Sequence, residues 1–249
     1  MKSIELFLAL GLATTIGLSN NMVDAGESPS AIAETDDANS LIIAEGGEGG
    51  EGGEGGTELS PGEQANADFQ DKMSGAELLS ELQNGGYVIY FRHAQTEKDY
   101  ADQVTADVNN CSTQRVLSEA GLQQAMTIGE GFATSEIPVG TVTTSEYCRA
   151  WSTAALAFGE YEKDPALNFL PFEDYTDAQV EEMKAKVMPL LTAVPENGTN
   201  SLIVGHDDIF ESATGIYPDP QGMAYVVKPD GNGSFEVVAN VLPEEWGQL

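Results

Sequence analysis

Residues 87–91 read Tyr-Val-Ile-Tyr-Phe, five consecutive β-prone side chains with no polar alternation. Such a run predicts a central strand covered on both faces, as in a parallel sheet. Residues 138–143, a β-prone stretch, and the short apolar run 201–204 predict two further strands. Between these runs the apolar spacing turns helical. Ser74 and Glu77 form a capping box for a short helix to Gln83, with Gly85 and Gly86 as its stop. Ser118 caps a second helix reaching about Phe132, with Leu122, Ala125, Met126 and Gly129 on its inner face. A third helix covers residues 149–158. Thr176 and Gln179 form another capping box, followed by Val180, Met183, Val187 and Leu190 at helical spacing, and Pro189 marks a kink or an end. Residues 224–228 and 235–241 flank Asp230-Gly-Asn-Gly233 and predict a terminal hairpin. Residues 96–113 keep no period and predict a long loop. The mixture predicts an α/β domain over residues 73–249: a three-layer α/β/α sandwich with a mostly parallel central sheet and one antiparallel strand.

The chain ahead of this domain has a different pattern. Met1-Lys2 precedes an apolar stretch from Ile4 to Leu18, too short for a span of ~20 residues but suited to a secretory signal. Val23-Asp-Ala25 offers a cleavage site, so residues 1–25 are expected to be a signal peptide, and a retained N-terminal membrane tether is the alternative. Residues 26–72 are acidic, Gly-rich and poor in aromatics, and repeat Gly-Gly-Glu between Gly46 and Gly56. Such a segment buries too little apolar surface to offset the entropy of ordering, and is expected to be a disordered linker.

Chemistry gathers where the apolar runs stop. Arg92-His93-Ala94 follows the first run, and Gly205-His206-Asp207-Asp208 follows the third. After the second, a β-prone stretch passes through Ser145 into an Ala-rich helical run whose first turn holds Arg149. The chain has two histidines and three arginines, and both histidines and two of the arginines fall in these segments. Carboxyl ends of strands are where open α/β sheets bind ligands. A phosphate monoester carries nearly two negative charges, for which planar guanidiniums are suited donors. A neutral imidazole can attack phosphorus, splitting one displacement into two.

Together the segments resemble the histidine phosphatase superfamily, or phosphoglycerate-mutase-like family. Its pattern is Arg-His-(Gly/Ala), then Ser-x-x-x-Arg-Ala-x-x-Thr, then Gly-His, with a supporting Leu-Ser/Thr-x-x-Gly that is matched here by Leu117 to Gly121. The resemblance covers roughly residue 86 to the C-terminus. It implies that His93 attacks phosphorus and that Arg92, Arg149 and His206, the last as a protonated ring, hold the phosphoryl oxygens. No metal or cofactor is implied. For the acid that protonates the leaving group, Asp207 matches the acid-phosphatase branch, and Glu173 or its neighbour Asp174 lies where mutase-like members carry theirs; Asp207 is preferred. Thr96, Arg115 and Ser145 are candidate substrate contacts. Arg149 and His206 are only 57 positions apart, without the long covering insertion of phosphoglycerate mutases. A phosphomonoester hydrolase is therefore expected over a phosphotransferase. A small phosphorylated substrate is expected, with phosphosugars of the cell envelope as one class. The alternatives are a non-catalytic phospholigand binder and a cation-binding protein that uses His206, Asp207 and Asp208.

Cys111 and Cys148 are the only cysteines, and a pair in an exported chain can form one disulfide. Export to a periplasmic or extracellular space is the expected location. The net charge of −31 argues against nucleic acid or anionic membrane as partners. Residues 73–249 alone carry twenty-seven acids against eight Lys and Arg. Cations at the proposed pocket then form a positive focus inside a negative field, which slows the approach of anionic substrates at low ionic strength. Moderate salt is expected to raise kcat/KM for a phosphomonoester; a flat or falling profile in stopped-flow or initial-rate assays would remove the steering argument.

Overall fold

Strand β1 (Val88–Arg92) lies at the middle of a six-stranded sheet, and the sheet is built outward from it. The computed structural model describes residues 58–73, 75–97, 102–103, 106–170 and 175–249. The expected signal peptide, residues 26–57 of the linker, Ser74, Glu173 and Asp174 lie outside the described residues. Within them the order is helix α1 (Pro61–Ala67), α2 (Gly75–Asn84), β1, α3 (Glu119–Thr134), β2 (Val139–Thr144), α4 (Cys148–Phe158), β3 (Glu162–Lys163), α5 (Asp177–Leu191), β4 (Asn200–Gly205), α6 (Asp207–Thr214), β5 (Ala224–Pro229) and β6 (Phe235–Val241). Short 3₁₀ turns occupy Cys111–Thr113 and Pro165–Leu167.

The sheet order is β3-β2-β4-β1-β5-β6. β1 pairs in parallel with β4, β4 with β2, and β2 with β3, whereas β5 runs antiparallel to both β1 and β6. One strand of six is therefore reversed, and the architecture is the mostly parallel sandwich that the pattern predicts. Alternation along β1 divides the core. Ile89 and Phe91 face a layer containing Leu82, Ile128, Phe132, Ala154 and Trp246, while Val88 and Tyr90 face Met183, Val187, Leu191, Ile209 and Phe210. A strand buried on both sides has no place for polar alternation, which is why its sequence has none.

Several local expectations shift. The inner face of α3 is Gly121, Ala125, Ile128 and Phe132, and Leu122 is 40% exposed. Small residues misled the phase: Gly121 packs so closely that a Cβ there would meet the Gln95 carbonyl oxygen. Helix α5 continues through Pro189 and ends two residues later at Leu191, where the Thr192 amide donates to the Met188 carbonyl.

The linker boundary at residue 72 is corrected. Ser60 accepts from the Glu63 amide while Glu63 Oε2 accepts from the Ser60 amide, and Pro61 sits at the first helical position, so α1 opens with a complete capping box. Ala65 and Phe69 pack on the α5–α6 side of the sheet, with Phe69 edge-on to Tyr225 at 5.2 Å. The Lys72 amide donates to the Val238 carbonyl, and Asp71 accepts from the Asn240 amide. Asn66 accepts from the Tyr225 hydroxyl at 2.6 Å and donates to the Asp219 carbonyl at 2.9 Å, while Gly62 O accepts from the Tyr217 amide. Residues 58–72 thus belong to the domain and brace the segment 217–219. A chain that starts at residue 73 is expected to melt several degrees below one that starts at residue 58, with calorimetry as the readout; equal melting temperatures would show that α1 is dispensable.

Candidate active site

Parallel pairing sets the site before any side chain is considered. Arg92 is the register partner of Gly205, so His93 and His206 leave adjacent strands side by side. The His93 amide donates to the Gly205 carbonyl at 3.0 Å, and the two rings lie 5.4 Å apart, centroid to centroid. Tyr90, one turn of the pleat earlier, donates its hydroxyl to the His206 carbonyl at 2.7 Å and accepts from the His206 amide at 3.0 Å. A Cβ on Gly205 would come within 2.2 Å of that phenol oxygen. Glycine is therefore required before His206 for steric reasons.

The second motif is stitched to the first. Thr153 Oγ1 accepts from the Ala94 amide at 3.0 Å and donates to the Arg149 carbonyl at 2.8 Å. Ser118 caps α3 through the Gly121 amide and also bonds the Gln95 carbonyl with both its amide and its hydroxyl. The Leu-Ser-x-x-Gly segment thereby fixes the turn that follows the nucleophile candidate.

Protonation states follow from the partners. A carbonyl only accepts, so the 2.8 Å contact from His93 Nδ1 to Ala94 O places the proton on Nδ1 and the lone pair on Nε2. Arg149 Nε donates to that Nε2 at 3.2 Å. Burial, then Arg149 and Arg92, drive the His93 pKa down to about 3, so the ring is neutral at any physiological pH. His206 is held well below the ordinary range by burial, then Arg149 and His93. Its Nε2 lies 2.9 Å from Ser145 Oγ, whose single proton goes to Asn168 Oδ1 at 2.8 Å, so Nε2 carries the hydrogen. The protonated His206 implied by the resemblance is therefore not the state of the free chain.

Arg92 and Arg149 are 1% and 3% exposed. Arg92 Nη2 pairs with Asp207 Oδ2 at 2.6 Å, and Nη1 bonds Pro218 O at 2.9 Å and Asp219 Oδ1 at 3.0 Å. Its Nε is buried with no hydrogen-bond partner among the described residues, an unpaired donor that costs ~1–3 kcal/mol and suits an acceptor from a ligand. Arg149 lies 5.2 Å from both the Tyr147 and Phe169 rings, which pack on each other at 4.4 Å, and its Nη1 contacts both oxygens of Asp102. Burial, the largest single influence, raises the Asp207 pKa, but Arg92, His93 and hydrogen bonds from Tyr217 and the Asp208 amide together outweigh it, and the carboxylate is held below its ordinary range. Asp208 is pushed up to about 7 by burial and by the Asp207 charge, with the Tyr175 hydroxyl 3.2 Å away.

Arg92, His93, Ser145, Arg149, His206 and Asp207 converge. Arg115 lies close enough to lower the His206 pKa, and its amide donates to Asp102. Thr96 is different: it is 3% exposed, bridges to Leu117, and bonds the Gln221 side chain, so its expected role as a substrate contact gives way to a role in the turn. Cys111 and Cys148 form a disulfide with 5.7 Å between Cα atoms, which ties the loop after β1 to the residue beside Arg149. Sequence reading missed Asp102, Asn168, Phe169 and Gln114. Gln114 is fully buried and accepts from the Cys148 amide at the start of α4. It stands beside Arg115 in the Cys-Ser-Thr-Gln-Arg segment, where a polar run hides it.

A neutral imidazole that accepts from one buried guanidinium and lies near a second, at the carboxyl ends of two parallel strands, makes a site suited to anions in an α/β protein. The sequence profile of the histidine phosphatase superfamily (branch 1) matches residues 88–212, and the chain belongs to that superfamily. Among solved structures it is similar to the protein histidine phosphatase SixA complexed with tungstate, at 15% identity and TM-score 0.45, covering 63% of this chain and 97% of that one. A phosphoserine phosphatase mutant from Entamoeba histolytica with phosphoserine gives 15% and 0.46, over 62% and 95%. A mycobacterial glucosyl-3-phosphoglycerate phosphatase gives 16% and 0.42, over 58% and 93%. No curated protein sequence matches the chain significantly.

The pKa shifts oppose one another in sign. Both histidines are lowered, so the stability they support is complete above the ordinary value of 6.5 and drains as pH falls below it, for His93 towards about 3. Asp208 is raised, so its contribution is complete below the ordinary 3.8 and is lost as pH rises through about 7. Asp208→Asn is therefore expected to raise Tm over the parent by a few degrees at pH 8 and by little at pH 5, measured by thermal denaturation. An equal gap at the two pH values would contradict the assignment.

Proposed function

We propose that the protein is a phosphomonoester hydrolase working through a covalent phosphohistidine on His93. The observation that carries this reading is the neutral His93 ring, its Nδ1 proton fixed by Ala94, its Nε2 lone pair facing the buried Arg149 guanidinium, and the buried Arg92 guanidinium near enough to lower its pKa. In the first step Nε2 attacks phosphorus and the ester P–O bond breaks, giving phospho-His93 and an alkoxide that takes a proton. In the second, water attacks phosphorus, the P–N bond breaks, and inorganic phosphate leaves. Arg92 and Arg149 stabilise the equatorial oxygens. The approaching dianion favours a proton on His206, which then donates from both nitrogens.

Asp207 is the proposed acid. It is ionised in the free chain because Arg92 holds it. A phosphoryl dianion that draws on Arg92 weakens that pairing and repels the carboxylate, raising its proton affinity when a proton is needed. The cation-binding reading is weaker, since Asp207 is committed to Arg92 and no cluster of three or more His, Cys, Asp or Glu suited to a metal occurs among the described residues. The Cys111–Cys148 bond supports an exported location. Export in turn favours small phosphoesters met outside the cytoplasm, phosphosugars among them.

Turnover of p-nitrophenyl phosphate is expected in the presence of EDTA, with inhibition by vanadate and loss in His93→Ala. Quenching with alkali should trap acid-labile phosphate on His93. Asp207→Asn is expected to cut turnover of an alkyl phosphate ~10²–10⁴-fold while sparing the nitrophenyl ester, whose leaving group needs no proton. If Glu173→Gln shows that pattern instead, the acid is Glu173.

A further inference from the structure

The anion pocket already contains an anion. Asp102 places both carboxylate oxygens on Arg149 Nη1, at 3.1 and 3.0 Å, and Oδ1 also accepts from the Arg115 amide. A planar carboxylate on a guanidinium nitrogen offers the same oxygens, with the same sign of charge, as one edge of a phosphoryl group. The same guanidinium caps the nucleophile, since Arg149 Nε donates to His93 Nε2 at 3.2 Å. Attack requires both contacts to be exchanged: phosphoryl oxygens must replace the carboxylate on Nη1, and the Nε hydrogen must leave the lone pair for a phosphoryl oxygen. The guanidinium itself is buried, 3% exposed, against the packed pair of Tyr147 and Phe169 rings. The movable partner is therefore the carboxylate.

Charge balance points the same way. Arg92 is matched by Asp207 and Asp219, and Arg149 by Asp102. A dianion added to that set leaves excess negative charge in a buried place, which is unfavourable unless a carboxylate departs or takes a proton. The Asp219 side chain is 55% exposed but shares Arg92 with Asp207, which is fixed at the first position of α6 with a side chain 6% exposed; on Arg149 the carboxylate is Asp102, whose side chain is 22% exposed and belongs to the stretch between β1 and the Cys111 turn. We propose that Asp102 is an affinity-setting residue, a built-in competitor that substrate and product phosphate must both displace from Arg149. This rests on the phosphatase reading above and deepens it: the carboxylate weakens binding of substrate and product alike, and so favours release of inorganic phosphate.

Uniform weakening has a kinetic signature. In the full chain, Asp102→Asn is expected to lower KM for p-nitrophenyl phosphate and the inhibition constants of inorganic phosphate and orthovanadate together, on the order of tenfold for a charge-assisted contact. kcat should stay level or fall as product release slows. A purely structural role for Asp102 moves KM the other way, because a loosened Arg149 binds phosphate less well. Glu160→Gln, an equal charge change on an exposed residue just past the far end of α4, should leave all three constants unchanged. If KM and both inhibition constants are unchanged or raised in Asp102→Asn, the competitor assignment is overturned. Asp102→Ala applies the same criterion should the asparagine variant fail to fold. Phosphate and vanadate binding by calorimetry separates the two readings: tighter binding without turnover in the parent removes the hydrolase and keeps the competitor, whereas turnover with unchanged binding does the reverse.

Discussion

The register between β1 and β4 is the constraint from which the site follows. Pairing Arg92 with Gly205 brings two histidines out of neighbouring strands at the same level. A slip of one residue would turn every side chain of β1 to the opposite face. Ile89 and Phe91 would then exchange environments with Val88 and Tyr90, and the Tyr90 hydroxyl would lose both its bonds to the His206 backbone. The apolar core and the catalytic geometry are thus fixed by one alignment. Buried strands with bulky, unlike faces resist slippage strongly, so the positioning of the histidines draws on the stability of the whole sandwich.

How much of this could be read in advance depends on the range of the interactions involved. β1, β4, the hairpin and the Ser118 cap were legible because each is decided within a few residues, by apolar runs, turn residues and capping side chains. The motif residues were legible as residue types at strand ends. α1 was legible too in principle: Ser60-Pro61-Gly62-Glu63 is a local capping box, obscured by the acidic, Gly-rich composition around it. The inner face of α3 misled because Gly121 and Ala125 carry little hydrophobic signal, although close packing places them inside.

Other features were out of reach for a physical reason. The pairing of Asp102 with Arg149 joins residues 47 positions apart through a stretch that has no periodicity. Asn168, which orients Ser145 and so sets the tautomer of His206, lies beyond α4 in a segment that resembles ordinary loop. Contacts of this kind depend on the finished topology, and no local pattern announces them. The disulfide falls between the two groups: the residues were evident, but their 5.7 Å approach was decided by how the Cys111 turn docks on α4.

The arrangement also bears on the acidity of the chain. Both buried guanidiniums of the site are answered by carboxylates, each from a different element: Asp207 from α6, Asp219 from the segment braced by α1, and Asp102 from the stretch after β1. Two buried guanidiniums without counter-ions would repel each other and pay a desolvation penalty of several kcal/mol apiece. The carboxylates that make the folded state tolerable are therefore the groups that oppose the substrate. A site assembled this way cannot maximise stability and phosphate affinity together. At Arg149 its binding strength is decided by how firmly Asp102 is held, and that partly exposed carboxylate is anchored less deeply than the buried Asp207, which α6 holds on Arg92.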